Sequence, residues 1–503
     1  MNTDTDTSSA GRATGRPLAG PHPLGGSDAV PGGRGAVRSD ALVLFGFTGD
    51  LASKKIFPAL YAMSKRGELV PRVVGVAGRP QTDDQVHQRV RDSIEQHGGG
   101  IDDGAAFDKL RHAIRYVNGD YNKPETFEKL KKALEGSRRP AHYLAVPPDL
   151  FETVISNLGS AGLAKDARLI VEKPFGRDLA SARELDAVAH AVFPEKSIFR
   201  IDHYLGKEAI MNLLYFRFSN SFLDPLWCRD HVTSVQMTMS EDFGVEERGA
   251  FYETAGALRD VVENHLFQIV ALLAMEPPRS RAFADLQAAK ADVFRAMRPI
   301  APQDMVRGQY DGYRQEKDVA PDSDVETFVA LRLFVDSPRW QGVPFFLRAG
   351  KKLPTTAVEV QIQFKPPAHA LFEDAGDRPN YLRFRVQPTS SIALAARIKD
   401  VGKQFVGIQR ELYACDDLAG EEAPYDRLLG DAMAGDASLF TSPEAVEAAW
   451  TAVDGILATH PKAIVYKPGS WGPKEADALI GKDGCWKAPQ PEPGCGDNRR
   501  KAA

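Results

Sequence analysis

The sequence predicts a two-domain protein of the α/β plus α+β class. The N-terminal half is predicted to form a Rossmann-like, doubly wound parallel sheet, because short apolar runs alternate with helix-like stretches between residues 41 and 200. The C-terminal half is predicted to form a large, mostly antiparallel sheet with helices, because several later runs alternate polar and apolar residues with no helix between them. With 503 residues, the chain is long enough for two separate cores.

Composition divides the chain into four parts. Residues 1–40 are rich in Gly, Pro, Ser, Thr and Arg and nearly lack large apolar residues, so we expect a disordered leader. Residues 41–200 form the predicted NAD(P)-binding Rossmann-like domain, and residues 201–488 form the predicted substrate-binding and oligomerisation domain. Residues 489–503 contain mainly Pro, Gly and charged residues and are expected to be a loose tail.

Charge and cysteine content exclude several function classes. The 63 basic and 68 acidic residues are interleaved, and no basic field indicates a nucleic-acid partner. The cysteines are scattered, at Cys228, Cys415, Cys485 and Cys495, which argues against a disulfide framework and a metal site and favours a cytoplasmic protein. No apolar run approaches the roughly 20 residues of a membrane span, so we expect no membrane association.

The first predicted strand, residues 41–45, leads into a glycine turn and a helix-like stretch to about residue 66. Glycines in such a turn let the backbone approach a pyrophosphate, whose charge then lies at the helix N-terminus. The Gly-x-x-Gly spacing is not the usual dinucleotide fingerprint, so this signal alone is weak. The candidate coenzyme residues in the turn are Gly46, Thr48, Gly49, Asp50 and Leu51.

The second predicted strand, residues 72–77, ends where a dinucleotide fold places an acid on the adenosine ribose. Gly78 and Arg79 occupy that position instead. A cation suits a 2′-phosphate better than a free hydroxyl, so Arg79 favours NADP over NAD. An exposed loop arginine is the alternative interpretation, and use of NAD stays open.

Ligands of doubly wound sheets lie beyond the C-terminal strand ends. Two later strand ends therefore supply further candidate coenzyme residues: Tyr143 in one, and Lys173 with Pro174 in the other. A lysine at a strand end is more often simply solvated. The remaining elements of this domain are predicted as strands at 114–117, 141–146 and 168–171 and helices near 83–97, 124–135, 149–159 and 178–191.

In the second half, residues 258–275 have the apolar period of a helix. His265 lies at the edge of the apolar face that this period predicts. A histidine in this position is more often a core residue than a catalytic one. If the open face of the predicted sheet is apolar, a second subunit would bury it. Strands are predicted at 233–239, 328–334, 344–348, 358–364, 381–386 and 391–394, and helices at 426–434 and 443–457.

Residues 200–208 concentrate polar groups directly after an apolar pair. The carboxylate of Asp202 could orient a base, and His203, Tyr204 and Lys207 offer the mixture of charge and neutral donors that a phosphate monoester needs. The alternative is a surface turn that opens a helix at Lys207.

Taken together, these motifs resemble the glucose-6-phosphate dehydrogenase family. The resemblance covers nearly all of residues 41–480 in the family's order, and the nine-residue stretch is its most specific part. The matching segments are Gly46 to Lys55, Glu172 to Asp178, Arg200 to Glu208, Arg259 to Leu266, Arg348 to Lys351 and Tyr466 to Pro473.

The resemblance implies oxidation of C1 of D-glucose 6-phosphate to 6-phospho-D-glucono-1,5-lactone with hydride transfer to NADP, the first oxidative step of the pentose phosphate pathway, without a metal. It implies His265 as the base and Asp202 as its partner. A histidine with an ordinary pKa of about 6.5 can accept a proton near neutrality. The implied phosphate contacts are His203, Tyr204 and Lys207, and the implied sugar contacts are Lys173, Glu241, Asp260, Lys351 and Gln387. We expect a homodimer or homotetramer formed through the C-terminal sheet.

The chain departs from the family pattern at two positions. A cation found in many members about five residues after the match to Lys351 is replaced by residues 354–356, Pro-Thr-Thr, and the arginine usual directly after Ala77 is displaced to position 79. Two alternative functions remain. A dehydrogenase of free sugars or inositols would not need a phosphate site, and a catalytically silent dinucleotide-binding sensor would use His265 and Asp202 only for packing.

Overall fold

The structure is a computed structural model that describes residues 37–202, 204–280, 282–369, 371–372, 379–402, 405–415 and 423–489. His203, most of the predicted leader and most of the predicted tail lie outside these ranges. The strands in the described ranges are β1 Ala41–Phe45, β2 Val73–Ala77, β3 Ile114–Asn118, β4 Pro140–Leu144, β5 Arg168–Glu172, β6 Ile198–Ile201, β7 Val232–Ser240, β8 Met305–Tyr310, β9 Phe328–Phe334, β10 Pro344–Gly350, β11 Ala357–Phe364, β12 Tyr381–Gln387, β13 Ser391–Lys399, β14 Gly407–Cys415 and β15 Ile464–Tyr466.

Helices connect and cover these strands, with short 3-10 helices in several of the loops. Two segments are π-helical, Ala52–Ile56 and Leu258–Leu266, and each continues directly into an α-helix. The α-helices are α1 Phe57–Lys65, α2 Asp83–His97, α3 Gly104–Ala113, α4 Pro124–Ala133, α5 Phe151–Ser160, α6 Leu179–Val192, α7 Glu208–Ser219, α8 Gly249–Ala257, α9 Phe267–Ala274, α10 Phe283–Ala296, α11 Pro424–Ala434, α12 Pro443–Thr459 and α13 Asp477–Ile480.

The N-terminal sheet is parallel, with the strand order β3-β2-β1-β4-β5-β6 among the described residues. The central strand β1 is buried at every position, as expected when helices cover both faces of a parallel sheet. The chain runs outward in one direction from β1 to β3 and in the other from β4 to β6. This reversal between β1 and β4 opens a crevice at the carboxyl ends of the strands, where such sheets bind ligands. The predicted doubly wound sheet is confirmed.

The second sheet has the order β14-β13-β12-β11-β7-β10-β9-β8-β15 in the described part of the chain. Its neighbours pair antiparallel except for β10 with β7 and β15 with β8. This confirms the predicted large, mostly antiparallel sheet. One core joins this sheet to the π-helical segment Leu258–Leu266, with Val262 and Leu266 packed in the same cluster as Met237 and Leu347.

Several elements and one boundary differ from the prediction. The elements β6, β8, β14, β15, α3, α8, α10 and α13 were not predicted. The leader was predicted to end at residue 40, but Ser39 donates its backbone N–H to the carbonyl of Met433 at 2.8 Å, and Asp40 accepts from the N–H groups of Arg138 and Arg139. The folded part therefore begins before residue 41.

The C-terminal sequence also contributes to the N-terminal domain. Helix α11 places Leu428 and Leu429 in the same core cluster as Leu42 and Phe199 of the first sheet. A single domain boundary at residue 200 does not separate the two cores. The core of the N-terminal domain is completed by a segment more than two hundred residues later in the chain.

Two further observations concern the chain as a whole. Cys228 and Cys485 are free thiols, whereas Cys415 is disulfide-bonded. None of the helices in the described ranges combines the length and apolar character that a membrane crossing requires.

Candidate functional site

Three side chains that the sequence analysis singled out meet at the carboxyl ends of β5 and β6. The strands pair in parallel with Glu172 opposite Ile201, so the residues that follow, Lys173 and Asp202, emerge side by side. The Lys173 Nζ lies 3.0 Å from Asp202 Oδ1 and 3.0 Å from His265 Nδ1. The Asp202 Oδ1 lies 3.5 Å from the same ring nitrogen. Lys173 therefore bridges the carboxylate and the imidazole.

His265 comes from the π-helical segment Leu258–Leu266. The wide turn is visible in the backbone hydrogen bond from the N–H of Phe267 to the carbonyl of Val262, five residues earlier. Leu258 and Leu266 are buried and hold the segment against the second sheet. The His265 side chain is only 13% exposed. Single π turns inside helices are frequent at functional sites, because they redirect one side chain without breaking the helix.

The surroundings favour a neutral His265 imidazole. Burial lowers its pKa below the ordinary value, and the positive charge of Lys173 lowers the pKa further. The carboxylates of Asp202 and Asp260 act in the opposite direction without reversing the shift. A histidine that is neutral at neutral pH can accept a proton from a substrate hydroxyl.

Tyr204 and Lys207 extend from this cluster in one direction. The ring of Tyr204 lies 4.7 Å from that of His265, and the Lys207 ammonium lies 4.2 Å from the centroid of the Tyr204 ring. The Tyr204 N–H donates to Asp202 Oδ1 at 2.9 Å. Burial holds the pKa of Tyr204 well above its usual value, so the phenol is neutral. An ammonium, a phenol and an imidazole thus follow one another, while His203 lies outside the described residues.

A second pair of strand ends places Glu241 and Lys351 together. Strands β7 and β10 run parallel with Ser240 opposite Gly350, and the next residues form an ion pair of 2.5 Å between Lys351 Nζ and Glu241 Oε2. The Lys351 side chain is buried, and its ammonium lies 5.1 Å from the ring of Tyr252. The carboxylate of Glu241 and the aromatic ring therefore give the buried ammonium its partners.

Asp260 and Gln387 are placed differently. The negative charge of Asp260 opposes the lowering of the His265 pKa and contributes to the raised pKa of Tyr252. Its carboxylate therefore lies near both the His265 cluster and the Lys351 pair. Gln387 ends β12 opposite Val358 of β11. No hydrogen bond or ion pair joins Gln387 to either cluster among the residues that the structure describes.

The glycine turn after β1 packs closely against the loop that follows β4. Gly46 has φ +81°, and a Cβ at this position would overlap the carbonyl of Ala145 on β4's exit loop. The N–H of Gly49 donates to the carbonyl of Gly46 at 2.9 Å, which closes the turn. Thr48 and Leu51 are half-buried beside it, and the exposed Asp50 pairs with Lys54 at 3.0 Å. Such a tight turn before a helix fits a pyrophosphate group.

The structure corrects the proposed role of Tyr143. Its side chain is fully buried, and its hydroxyl donates to the carboxyl of Glu172, so no exposed atom remains for a coenzyme. Tyr425 of α11 also hydrogen-bonds to Glu172. Burial raises the pKa of Glu172 to about 7. Tyr143 therefore supports the strand end from which Lys173 emerges.

Other buried ionisable groups near Asp202 escaped the sequence analysis. Burial raises the pKa of Glu263 to about 8, and the charge of Asp202 acts in the same direction. Burial lowers the pKa of Lys290 on α10 to about 8 against the opposing effect of Asp202. The sequence signal for Glu263 was its place two residues before His265, whereas Lys290 lies on a helix that was not predicted.

One group of potential metal ligands lies apart from this site. Ligand atoms of Asp186, His190 and Glu195 come within 4.8 Å of one another. The guanidinium of Arg200 donates to both carboxylates, however, and so supplies the positive charge there. These residues form an ion network around a buried arginine.

Family models match both halves of the chain. The model described as glucose-6-phosphate dehydrogenase, NAD binding domain, matches residues 43–212, and the one described as glucose-6-phosphate dehydrogenase, C-terminal domain, matches residues 214–487.

Curated relatives and solved structures agree with these models. The chain is 42% identical to glucose-6-phosphate 1-dehydrogenase 1 of Mycobacterium bovis, over 92% of this chain and 98% of that protein. It is 36% identical to the cytoplasmic glucose-6-phosphate 1-dehydrogenase 6 of Arabidopsis thaliana, over 88% of this chain and 91% of that protein. The crystal structure of glucose-6-phosphate 1-dehydrogenase from Mycobacterium avium superposes with a TM-score of 0.85 at 42% identity. The match covers 91% of this chain and 100% of that one. A glucose-6-phosphate dehydrogenase in complex with glucose 6-phosphate superposes with a TM-score of 0.82 at 32% identity. The match covers 90% of this chain and 100% of that one.

Proposed function

The chain belongs to the glucose-6-phosphate dehydrogenase family, and from this premise we propose that it is a glucose-6-phosphate 1-dehydrogenase that uses NADP. It oxidises C1 of D-glucose 6-phosphate to 6-phospho-D-glucono-1,5-lactone. The observation that supports this most strongly is the arrangement of a neutral imidazole beside a carboxylate at one end of a site and an ammonium at the other.

His265 is the proposed base that removes the proton from the C1 hydroxyl. Its lowered pKa keeps the ring neutral before the reaction, and Asp202 stabilises the imidazolium that forms. A positioned base of this kind contributes roughly 10²- to 10⁴-fold to the rate. When bound, NADP accepts the hydride that leaves C1.

The proposed phosphate contacts are Lys207, Tyr204 and His203. The phosphate does not react, but binding it fixes the position of C1 relative to the base, which converts binding energy into orientation. Lys207 supplies charge and Tyr204 supplies a neutral donor.

The proposed sugar contacts are the remaining polar groups around the cluster. Lys173 and Asp260 lie near His265, and the Glu241 and Lys351 pair lies at neighbouring strand ends of the second sheet. Gln387 is retained as a proposed contact from the end of β12.

The residues proposed to hold the coenzyme line the crevice of the first sheet. The tight turn from Gly46 to Gly49 leads into a helix, whose N-terminal amides favour a pyrophosphate. Arg79 is exposed beyond the end of β2, where a 2′-phosphate would lie. The full proposed set is Gly46, Thr48, Gly49, Asp50, Leu51, Arg79, Lys173 and Pro174.

We also propose that residues 41–200 serve mainly coenzyme binding and residues 201–488 mainly substrate binding and assembly, in a cytoplasmic homodimer or homotetramer. What supports assembly through the second sheet is a group of exposed apolar side chains on its β13 and β14 end. The group includes Leu394, Ile398, Leu412 and Tyr413. Sedimentation of the purified chain tests this: a monomer at micromolar concentration would contradict it.

One assay separates the candidate functions. The absorbance of reduced coenzyme is followed with glucose 6-phosphate, glucose and inositol, each offered with NADP and with NAD. A strong preference for glucose 6-phosphate supports the proposal. Equal or better turnover of glucose or inositol would indicate a free-sugar dehydrogenase, and no coenzyme reduction with any sugar would indicate a silent sensor.

A further inference from the structure

An open cleft of about 530 Å³ lies between the coenzyme turn and helix α2. Its lining includes Ser53, which follows the turn, Arg79 and Gln81 from the loop after β2, and Arg89 from α2. The hydroxyl of Ser93, one helical turn after Arg89, donates to the carbonyl of Ser53. This bond ties the part of α2 that carries Arg89 to the coenzyme turn.

The two arginines of this cleft have no anionic partner in the described residues. Neither guanidinium makes a hydrogen bond or an ion pair there, and the Nε of Arg89 is buried without a hydrogen-bond partner. The Oε1 of Gln81 is buried without a partner as well. A buried donor without an acceptor is costly, and such groups in native proteins generally have a ligand or water to satisfy them.

Arg89 also lies close to the loop that bears Arg79. Its positive charge counteracts the burial that raises the pKa of Tyr116, and the hydroxyl of Tyr116 donates to the carbonyl of Arg79. The acid among the described lining residues, Asp92, accepts from Gln88 at 2.7 Å and does not pair with Arg89. Two cations directed at one cleft repel each other unless an anion lies between them.

Arg91, two residues later on the same helix, shows the contrasting arrangement. Its guanidinium lies 3.6 Å from Glu95 and 4.6 Å from the ring centroid of Phe107. The helix therefore gives one arginine intramolecular partners and leaves the other directed at the cleft.

We propose that Arg89, together with Arg79, binds the 2′-phosphate of NADP and is a specificity-determining residue of the enzyme. The planar guanidinium offers two parallel donors to a phosphate, which makes arginine well suited to this group. The inference rests on the proposed use of NADP. It also accounts for the displacement of the expected arginine to position 79: that residue is exposed, and the more enclosed Arg89 adds the contact from the opposite wall.

The test measures binding of 2′,5′-ADP and of 5′-AMP to the full chain by calorimetry, in the unsubstituted protein and in Arg89→Gln and Arg91→Gln variants. Losing one charged hydrogen-bonding group should weaken 2′,5′-ADP about 10- to 100-fold in Arg89→Gln. Binding of 5′-AMP should stay unchanged, and Arg91→Gln should bind both nucleotides normally. Arg89→Lys keeps the positive charge but loses the two parallel donors of the guanidinium. Its affinity for 2′,5′-ADP should therefore lie between those of the unsubstituted protein and Arg89→Gln.

Steady-state kinetics supply the second measurement. The kcat/KM for NADP should fall in Arg89→Gln by a similar factor while that for NAD stays close to the unsubstituted value. Unchanged binding of 2′,5′-ADP, or an equal loss with both nucleotides in a variant whose thermal unfolding is normal, would overturn the inference. Failure of the proposed function is seen separately, because an unsubstituted protein that turns over no sugar still reports on nucleotide binding.

Discussion

Replacing Lys207 by alanine tests the phosphate end of the site. The Lys207 ammonium lies 4.2 Å from the Tyr204 ring, which itself lies 4.7 Å from the imidazole of His265. A sugar phosphate with C1 at His265 can therefore reach Lys207 across the Tyr204 ring. The variant should bind glucose 6-phosphate poorly, whereas free glucose, which has no phosphate, should be affected little.

The expected magnitude follows from the type of contact. A hydrogen bond to a charged group contributes about 1.5–3 kcal/mol, and about 1.4 kcal/mol corresponds to a factor of ten. The KM for glucose 6-phosphate should therefore rise roughly 10- to 150-fold. The lost contact between the ammonium and the Tyr204 ring should lower stability by about 0.5–2 kcal/mol, the range of cation–π pairs from exposed to desolvated sites.

The assay is initial-rate kinetics of coenzyme reduction with glucose 6-phosphate and with glucose. Lys65→Ala is a matched control, because Lys65 also lies over a tyrosine ring, that of Tyr61, at 5.7 Å but pairs with Asp102 outside the site. This control should leave both substrates unaffected. A similar loss with glucose and glucose 6-phosphate in Lys207→Ala would refute the assignment of Lys207 to the phosphate.

Two further predictions follow from buried charges. Lys173 lowers the pKa of His265, so Lys173→Met should raise that pKa. The acid limb of the pH profile of kcat/KM should then move to higher pH. A variant that keeps measurable activity but whose acid limb stays at the same pH would contradict the bridging role. Burial raises the pKa of Glu263 from 4.5 to about 8 in the folded state, so stability that is full below pH 4.5 is lost as pH rises toward 8. Glu263→Gln removes this titration and should therefore gain stability relative to the unsubstituted protein between pH 5 and pH 8 in denaturant unfolding, whereas a difference independent of pH would contradict the burial argument.

Local patterns were sufficient to predict much of the fold. The apolar run of β1 followed by two glycines predicted the strand and turn, and helix α2 has the predicted bounds of 83–97. The proximity of His265 and Asp202 was expected from the family resemblance rather than from spacing, since more than sixty positions separate them in the sequence. Local periodicity alone does not report such long-range contacts.

The features that escaped prediction depend on tertiary structure. Tyr143 lies in a strand as expected, but its burial depends on α11, a helix from the far end of the chain that brings Tyr425 to the same carboxyl group. Lys173 was expected to contact the ligand, and its place between Asp202 and His265 depends on the pairing of β5 with β6. Arg89 is indistinguishable in sequence from the paired Arg91, because only the packing of α2 determines which one faces the cleft.

The central claim is that His265 removes the proton from C1 of glucose 6-phosphate. The most direct measurement compares kcat and KM of the unsubstituted protein and of His265→Asn, with glucose 6-phosphate and NADP at neutral pH. Loss of the base should lower kcat roughly 10²- to 10⁴-fold with a nearly unchanged KM. A variant that keeps most of its kcat would contradict the claim.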